Sequence, residues 1–242
     1  MDVSGNSSVA FALNHSQNPF NNAQTRNTFL RGVLLLYTFT HLPALICLII
    51  IRTHSDFKKI VRKHLEFTFI AAFVVVIIGY LLGFSRIIAR KFPLNYILYT
   101  VFMASLTILV VGLAGKFAPM SIYILFVMLM SSGVAQFLYV LIVRSSYKGY
   151  LAFIASAGAL LINLLVFGLV YKPEIYYVLV YFGSAFIVAA LTCFGSQKIV
   201  ENKNYDLLKD DYILVALKLI TIFPLLPHIT GDRDDYMQNL SK

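Results

Sequence analysis

The sequence predicts an all-α membrane protein, a bundle of seven transmembrane helices whose last segment is a candidate re-entrant loop. Three observations predict it. The 242-residue chain is 59% hydrophobic and only 13% charged, against about 45–50% and about 25% in a soluble domain. Its apolar residues fall in runs long enough to cross a bilayer core, which takes about 20 helical residues for about 30 Å. Those runs lack the apolar–polar alternation that a membrane β-barrel requires. In lipid every backbone polar group must find its partner within the protein, and a helix satisfies them within each span.

The elements follow in order. Residues 1–27 are polar, rich in Asn and Ser, and have no charged start followed by an apolar core. They do not form a signal peptide and are expected as a disordered tail. Residues 28–230 are expected as the membrane domain, with spans near 32–51, 67–85, 93–113, 119–143, 149–171, 175–196 and 212–230, and 231–242 as a short polar tail. Short links at Gly115–Ala118, Arg144–Lys148 and Lys172–Glu174 force neighbouring helices antiparallel. Between the first two spans, Thr53–Glu66 places Phe57, Ile60, Val61 and Leu65 near one face and Lys58, Lys59, Arg62 and Lys63 around the rest. That pattern predicts an amphipathic segment on the membrane surface. The seventh span carries Lys218 near its middle and prolines at 224 and 227, each of which removes a backbone donor. It reads equally as a broken or re-entrant segment and as a full span, since membrane helices tolerate proline.

Charge excludes some functions. The formal net charge is +9, but the cations flank apolar runs, as membrane anchors do. The partner they imply is the lipid bilayer, not nucleic acid. They divide almost evenly between the two sides, so charge does not orient the chain. Asn6, Asn14 and Asn239 fit the glycosylation pattern, which matters only on a luminal face. Cys47 and Cys193 lie inside apolar runs with no disulfide or metal spacing. There is no HExxH, GxSxG or P-loop pattern, so the chain reads as a non-enzyme with no cofactor, metal ligand or catalytic residue.

Polar groups inside the membrane are the candidate functional residues, because lipid penalises them. His41 lies mid-run in the first span. Ser132, Gln136 and Tyr139 form a stripe in the fourth, Ser156 and Asn163 in the fifth, and Ser184, Thr192 and Ser196 in the sixth. Each stripe either bonds neighbouring helices, at about 0.6–2 kcal/mol per bond, or lines a hydrated path. Gly158, Gly183 and Gly195 allow close packing under both readings. A lysine at mid-membrane costs about 2.5–3.5 kcal/mol unless paired or hydrated. Asp211, seven residues before Lys218 on the same face, is the candidate partner. The alternative is that Lys218 snorkels past a short segment. Asp211, Lys218 and His41 are therefore the candidate pore or gating residues.

Three stretches carry a family resemblance. Arg26-Asn27-Thr28-Phe29-Leu30-Arg31-Gly32-Val33 resembles the R-x-x-F-I-R-K-V opening of the Bax inhibitor/lifeguard group, the transmembrane Bax-inhibitor-motif proteins. Arg90-Lys91-Phe92-Pro93-Leu94-Asn95-Tyr96-Ile97-Leu98 is similar to the R-x-x-P-x-N-x-x-L start of that group's third helix. Asp210-Asp211-Tyr212-Ile213-Leu214-Val215-Ala216-Leu217 resembles the D-D-Y-I-L-A-A-L start of its last segment. The matches fall in the family's order and the layout extends over about 26–226. The resemblance implies a seven-helix protein of the endoplasmic reticulum or Golgi, with a cytosolic N-terminus and a re-entrant last segment. It implies calcium leak, protection from apoptosis, and calcium ions and membrane proteins of the cell-death pathway as partners.

The departures are specific. Where the family's sixth helix ends Y-D-T-Q, this chain has Phe194-Gly195-Ser196-Gln197. Where its last segment reads L-Y-L-D-x-I-N, this chain has Leu219-Ile220-Thr221-Ile222-Phe223-Pro224-Leu225. The two aspartates of the family's pH-sensing pair are replaced by Gly195 and Ile222, and a glutamate common in its third helix by Leu106. Two nearby carboxylates share a proton and attract Ca²⁺; glycine and isoleucine do neither. Three function classes therefore stand: a regulator of cell death and calcium content, an ion channel or transporter of altered selectivity with a cation at Lys218, and a non-conducting partner of other membrane proteins.

Overall fold

The computed structural model describes residues 23–84, 86–116, 119–143, 145–171, 175–201 and 211–220. Among them the chain forms nine helices and no strand: α1 (Ala23–Thr53), α2 (Ser55–Lys63), α3 (Glu66–Phe84), α4 (Arg86–Arg90), α5 (Leu94–Lys116), α6 (Pro119–Ile142), α7 (Gly149–Tyr171), α8 (Ile175–Glu201) and α9 (Tyr212–Ile220). Residues 1–22 of the expected N-terminal tail and the expected tail at 231–242 lie outside the described residues.

α1, α5, α6, α7 and α8 are each long and apolar enough to cross a membrane, and α2 with α3 makes a sixth if that bent pair counts as one span. This is a multi-pass architecture of five or six spans, where the sequence predicts seven. The difference lies in the second segment, where α3 counts only together with α2, and in the last segment. Its described part, α9, has nine residues, too few to cross about 30 Å at 1.5 Å per residue. Ile222, Pro224 and Pro227 fall outside the described residues.

α1 begins inside the stretch expected as tail, and its polar residues explain why. Asn27 donates from Nδ2 to the carbonyls of Val143, at 3.2 Å, and Ser145, at 2.8 Å. Arg31 donates to Val140 and Leu141, both at 3.3 Å. These carbonyls sit at the α6 C-terminus and the link beyond it, where a helix leaves acceptors without intrahelical partners. α1 therefore extends past its apolar run because its polar start closes another helix.

α2 occupies the amphipathic segment the sequence predicts. It meets α3 at a bend of 74°. Phe57 and Val61 pack against Ala44, Leu48 and Ile51 of α1 and Val110, Val111 and Ala114 of α5, while Lys59, Arg62 and Lys63 are exposed.

The bundle's outer surface is apolar: Phe69, Phe73 and Val76 of α3 and Ile162, Leu165 and Leu169 of α7 are all more than half exposed. A soluble protein does not expose so continuous an apolar belt; lipid covers it. The inner packing centres on α9. Ile213, Leu214, Val215, Ala216, Leu217 and Leu219 are each at most 2% exposed, so these apolar residues of α9 lie at the centre of the packing. It packs against α1, α3, α4, α5 and α8.

Candidate functional site

The polar groups concentrate in two places. The first is the end of the bundle where α1, α5 and α9 begin. Asp211 immediately precedes α9, and its side chain is 1% exposed. Arg90, the last residue of α4, holds it with a two-pronged contact: Nε donates to Oδ1 at 2.9 Å and Nη2 to Oδ2 at 2.7 Å. A planar guanidinium matches a carboxylate in this way and an ammonium does not. Beside the pair, Tyr212 stacks on Phe29 with ring centroids 5.0 Å apart. Its ring comes within 2.7 Å of where a Cβ on Gly32 would sit, so an alanine there would push the ring away. Asn95 is buried in the first turn of α5; its Nδ2 donates to the Ala89 carbonyl at 3.2 Å. Deeper in, the hydroxyls of Thr40 and Tyr99 bond each other, and both reach the Leu36 carbonyl.

The second place is a belt across α6, α7 and α8. Gln136 donates from Nε2 to Thr192 Oγ1 at 2.9 Å and lies 3.4 Å from Ser132 Oγ. Ser156 donates to the Ala152 carbonyl at 3.0 Å and lies 3.8 Å from Cys193 Sγ. Asn163 reaches Ser131 Oγ at 2.8 Å. Tyr147 donates to the Cys193 carbonyl at 3.3 Å. Gln197 accepts from the Gly149 N–H at 3.0 Å, satisfying a donor at the start of α7. Three expected stripes thus meet, but not at every residue: the hydroxyls of Tyr139 and Ser196 form none of these bonds, and Ser184 is exposed and bonds only its own helix, at the Val180 carbonyl. The expected glycine contacts are placed elsewhere. A Cβ on Gly158 or Gly183 would meet nothing within 4 Å, whereas Gly112, Gly133 and Gly149 face side chains of a neighbouring helix.

The belt behaves as interhelical glue, and its strength is measurable. Thr192→Val keeps the side-chain shape and removes the acceptor for Gln136. It is expected to lower stability by about 0.6–1.7 kcal/mol, the range for such bonds in membranes. Thermal unfolding in detergent reads this; an unchanged midpoint would show that the bond contributes nothing.

The sequence-derived candidates do not form one site. His41 is 7% exposed, and its ring lies between Tyr37 and Phe126, with centroids 4.9 and 5.9 Å away. Nδ1 must carry the proton, because it lies 2.8 Å from the Tyr37 carbonyl, which only accepts. Asp211 is engaged by Arg90, where the seven-residue spacing pointed to Lys218. Lys218 lies on α9, and its side chain falls outside the described residues. Leu106 packs between two apolar clusters, and Gly195 is buried in α8. No group of three or more metal-ligating side chains occurs among the described residues. Sequence reasoning does not find Arg90 as a functional residue; its signal is a cation at the border of one apolar run, matching the aspartate at the start of another.

Compared with protein-family models, curated proteins and solved structures, the chain matches none.

Proposed function

We propose that this chain is a divergent Bax-inhibitor-motif protein of the endoplasmic reticulum or Golgi, a non-enzymatic regulator of store calcium and cell death. One observation carries the reading. The stretches that resemble the family, at 26–33, 90–98 and 210–217, are far apart in sequence yet meet at one end of the bundle. Arg90 of the second holds Asp211 of the third, Tyr212 of the third stacks on Phe29 of the first, and Asn95 of the second secures the turn between α4 and α5. Chance matches to three short motifs have no reason to share one packed cluster.

The same reading separates this chain from a pH-gated leak. Gating by a shared proton needs two neighbouring carboxylates, and the matching positions hold Gly195 and Ile222. Calcium release from vesicles carrying the purified protein is expected to stay flat between about pH 6 and pH 8, the range in which an ordinary histidine titrates. A steep response that survives replacement of His41 would mean that an acidic pair lies elsewhere. Store calcium and sensitivity to death stimuli, compared with and without the protein in cells, test the wider proposal, which predicts a change in both. Selective anion flux in vesicles would instead favour a channel of altered selectivity. No change in flux, store calcium or survival would leave a non-conducting interaction partner.

A further inference from the structure

Where α2 crosses α5, the bundle holds a built cleft that the reading above does not use. Its volume is about 330 Å³, at the lower end of ligand sites, which run about 300–1,000 Å³. Cys47 of α1 and Gly112 of α5 line it, and Ile60, Phe67 and Ile108 line its walls. The last three are 58%, 57% and 46% exposed, so the cleft opens sideways, onto the surface that lipid covers. One wall is held in place by a bond between helices: Arg62 Nε donates to the Gly115 carbonyl at 2.7 Å.

The helix that forms one rim is cationic. Ser55–Lys63 carries Lys58, Lys59, Arg62 and Lys63 against one carboxylate, Asp56, and just beyond its end His64, which lines the cleft, pairs with Glu66 at 3.0 Å. Helical spacing puts Lys63 one turn from Ile60, on the side where the cleft opens, and Lys58 on the opposite flank. Asp56 pairs with Lys59 at 3.1 Å. α2 turns away from α3 by 74°, so these cations lie along the end of the bundle, level with the ends of α1 and α5, where headgroups sit. An apolar slot open to lipid and a basic rim at headgroup level make one amphipathic template.

We propose that this cleft binds a single anionic glycerophospholipid, with one acyl chain between Ile60, Phe67 and Ile108 and its phosphate on Lys63, one turn beyond Ile60. The slot holds a chain and the rim selects the charge. A neutral lipid would fill the slot equally well but gain nothing from the rim. Each lysine near an anionic surface contributes about 1 kcal/mol, or about fivefold in binding.

The test uses the full chain in detergent, offered equimolar dioleoyl phosphatidylserine and dioleoyl phosphatidylcholine and examined by native mass spectrometry. One phosphatidylserine is expected to be retained per protein in preference to phosphatidylcholine. Lys63→Ala should lower that preference about fivefold while leaving phosphatidylcholine retention unchanged, and Lys58→Ala, on the opposite flank of α2, should leave the preference as it is. Cys47 gives a second readout that needs no substitution. Phosphatidylserine is expected to slow its alkylation by a lipid-permeable maleimide, and Cys193, which is fully buried, serves as the unreactive reference. Glycerophosphoserine and inorganic phosphate, which lack a chain, should not protect Cys47. Equal retention of the two lipids, an unchanged preference in Lys63→Ala, an equal loss in Lys58→Ala, or protection by phosphate alone would each overturn the proposal. So would a lipid-free dimer as the dominant species, since a second copy would then be the occupant.

Discussion

Arg90→Ala is expected to destabilise the protein by about 3–5 kcal/mol, the range for removing one partner of a buried ion pair. The asymmetry of the pair sets the direction. The Asp211 side chain is 1% exposed and the Arg90 side chain 33%. Removing the arginine strips a buried carboxylate of its two-pronged partner, at the residue that precedes α9, whose apolar residues Ile213–Leu217 are fully buried. Removing the negative charge with Asp211→Asn leaves the guanidinium at the edge, where it is already part-solvated, so the cost should be smaller. Arg90→Lys should recover only part of the loss, because an ammonium acts as a point charge and does not span both oxygens at 2.9 and 2.7 Å. The Arg90→Met, Asp211→Leu double variant should lose less than the sum of its single variants, since no charge is left buried alone. Unfolding midpoints in detergent order the series. Arg90→Ala within about 1 kcal/mol of the parent would place the pair among those that contribute little.

Which parts of this fold were legible follows from what hydropathy measures. An apolar run reports where lipid begins and ends. The expected spans at 119–143 and 149–171 accordingly lie within a residue of Pro119–Ile142 and Gly149–Tyr171. It does not report how far a helix continues once polar partners take over. α1 runs back to Ala23 because Asn27 and Arg31 close the end of α6, and α8 runs on to Glu201 past Gln197, which serves α7. The periodicity of charged and apolar residues found α2, since a surface helix must sort its faces. The pairing of Arg90 with Asp211 was not legible, because the two are 121 residues apart and spacing along one helix points only to neighbours such as Lys218. The hydroxyl and amide stripes were legible as stripes; which residues meet depended on how the helices rotate against one another.

Glycine contacts give the other large expected effect, at the pairing of α3 with α5. A Cβ on Gly112 would lie 2.7 Å from Thr68 Cγ2 and 2.8 Å from Thr68 Cβ, with the hydroxyl nearer still. Small residues let membrane helices approach this closely, and here the neighbour is the root of a short side chain with no flexible end to swing aside. Gly112→Ala should therefore destabilise by about 1–3 kcal/mol, as overpacking does, although alanine is the better helix former by about 0.5–1 kcal/mol. Thr68→Ala in the same chain should return only part of the loss, because its Cβ remains. Thr68→Gly removes all three clashing atoms and should return more of the contact, while its own helix propensity costs about 1 kcal/mol. Gly158→Ala and Gly183→Ala, which face open space, should be neutral or stabilising by a few tenths of a kcal/mol from propensity alone. Thermal unfolding of the four alanine variants in one detergent makes the comparison. If Gly112→Ala proves as stable as Gly158→Ala, α3 and α5 do not approach as closely as the contact with Thr68 requires.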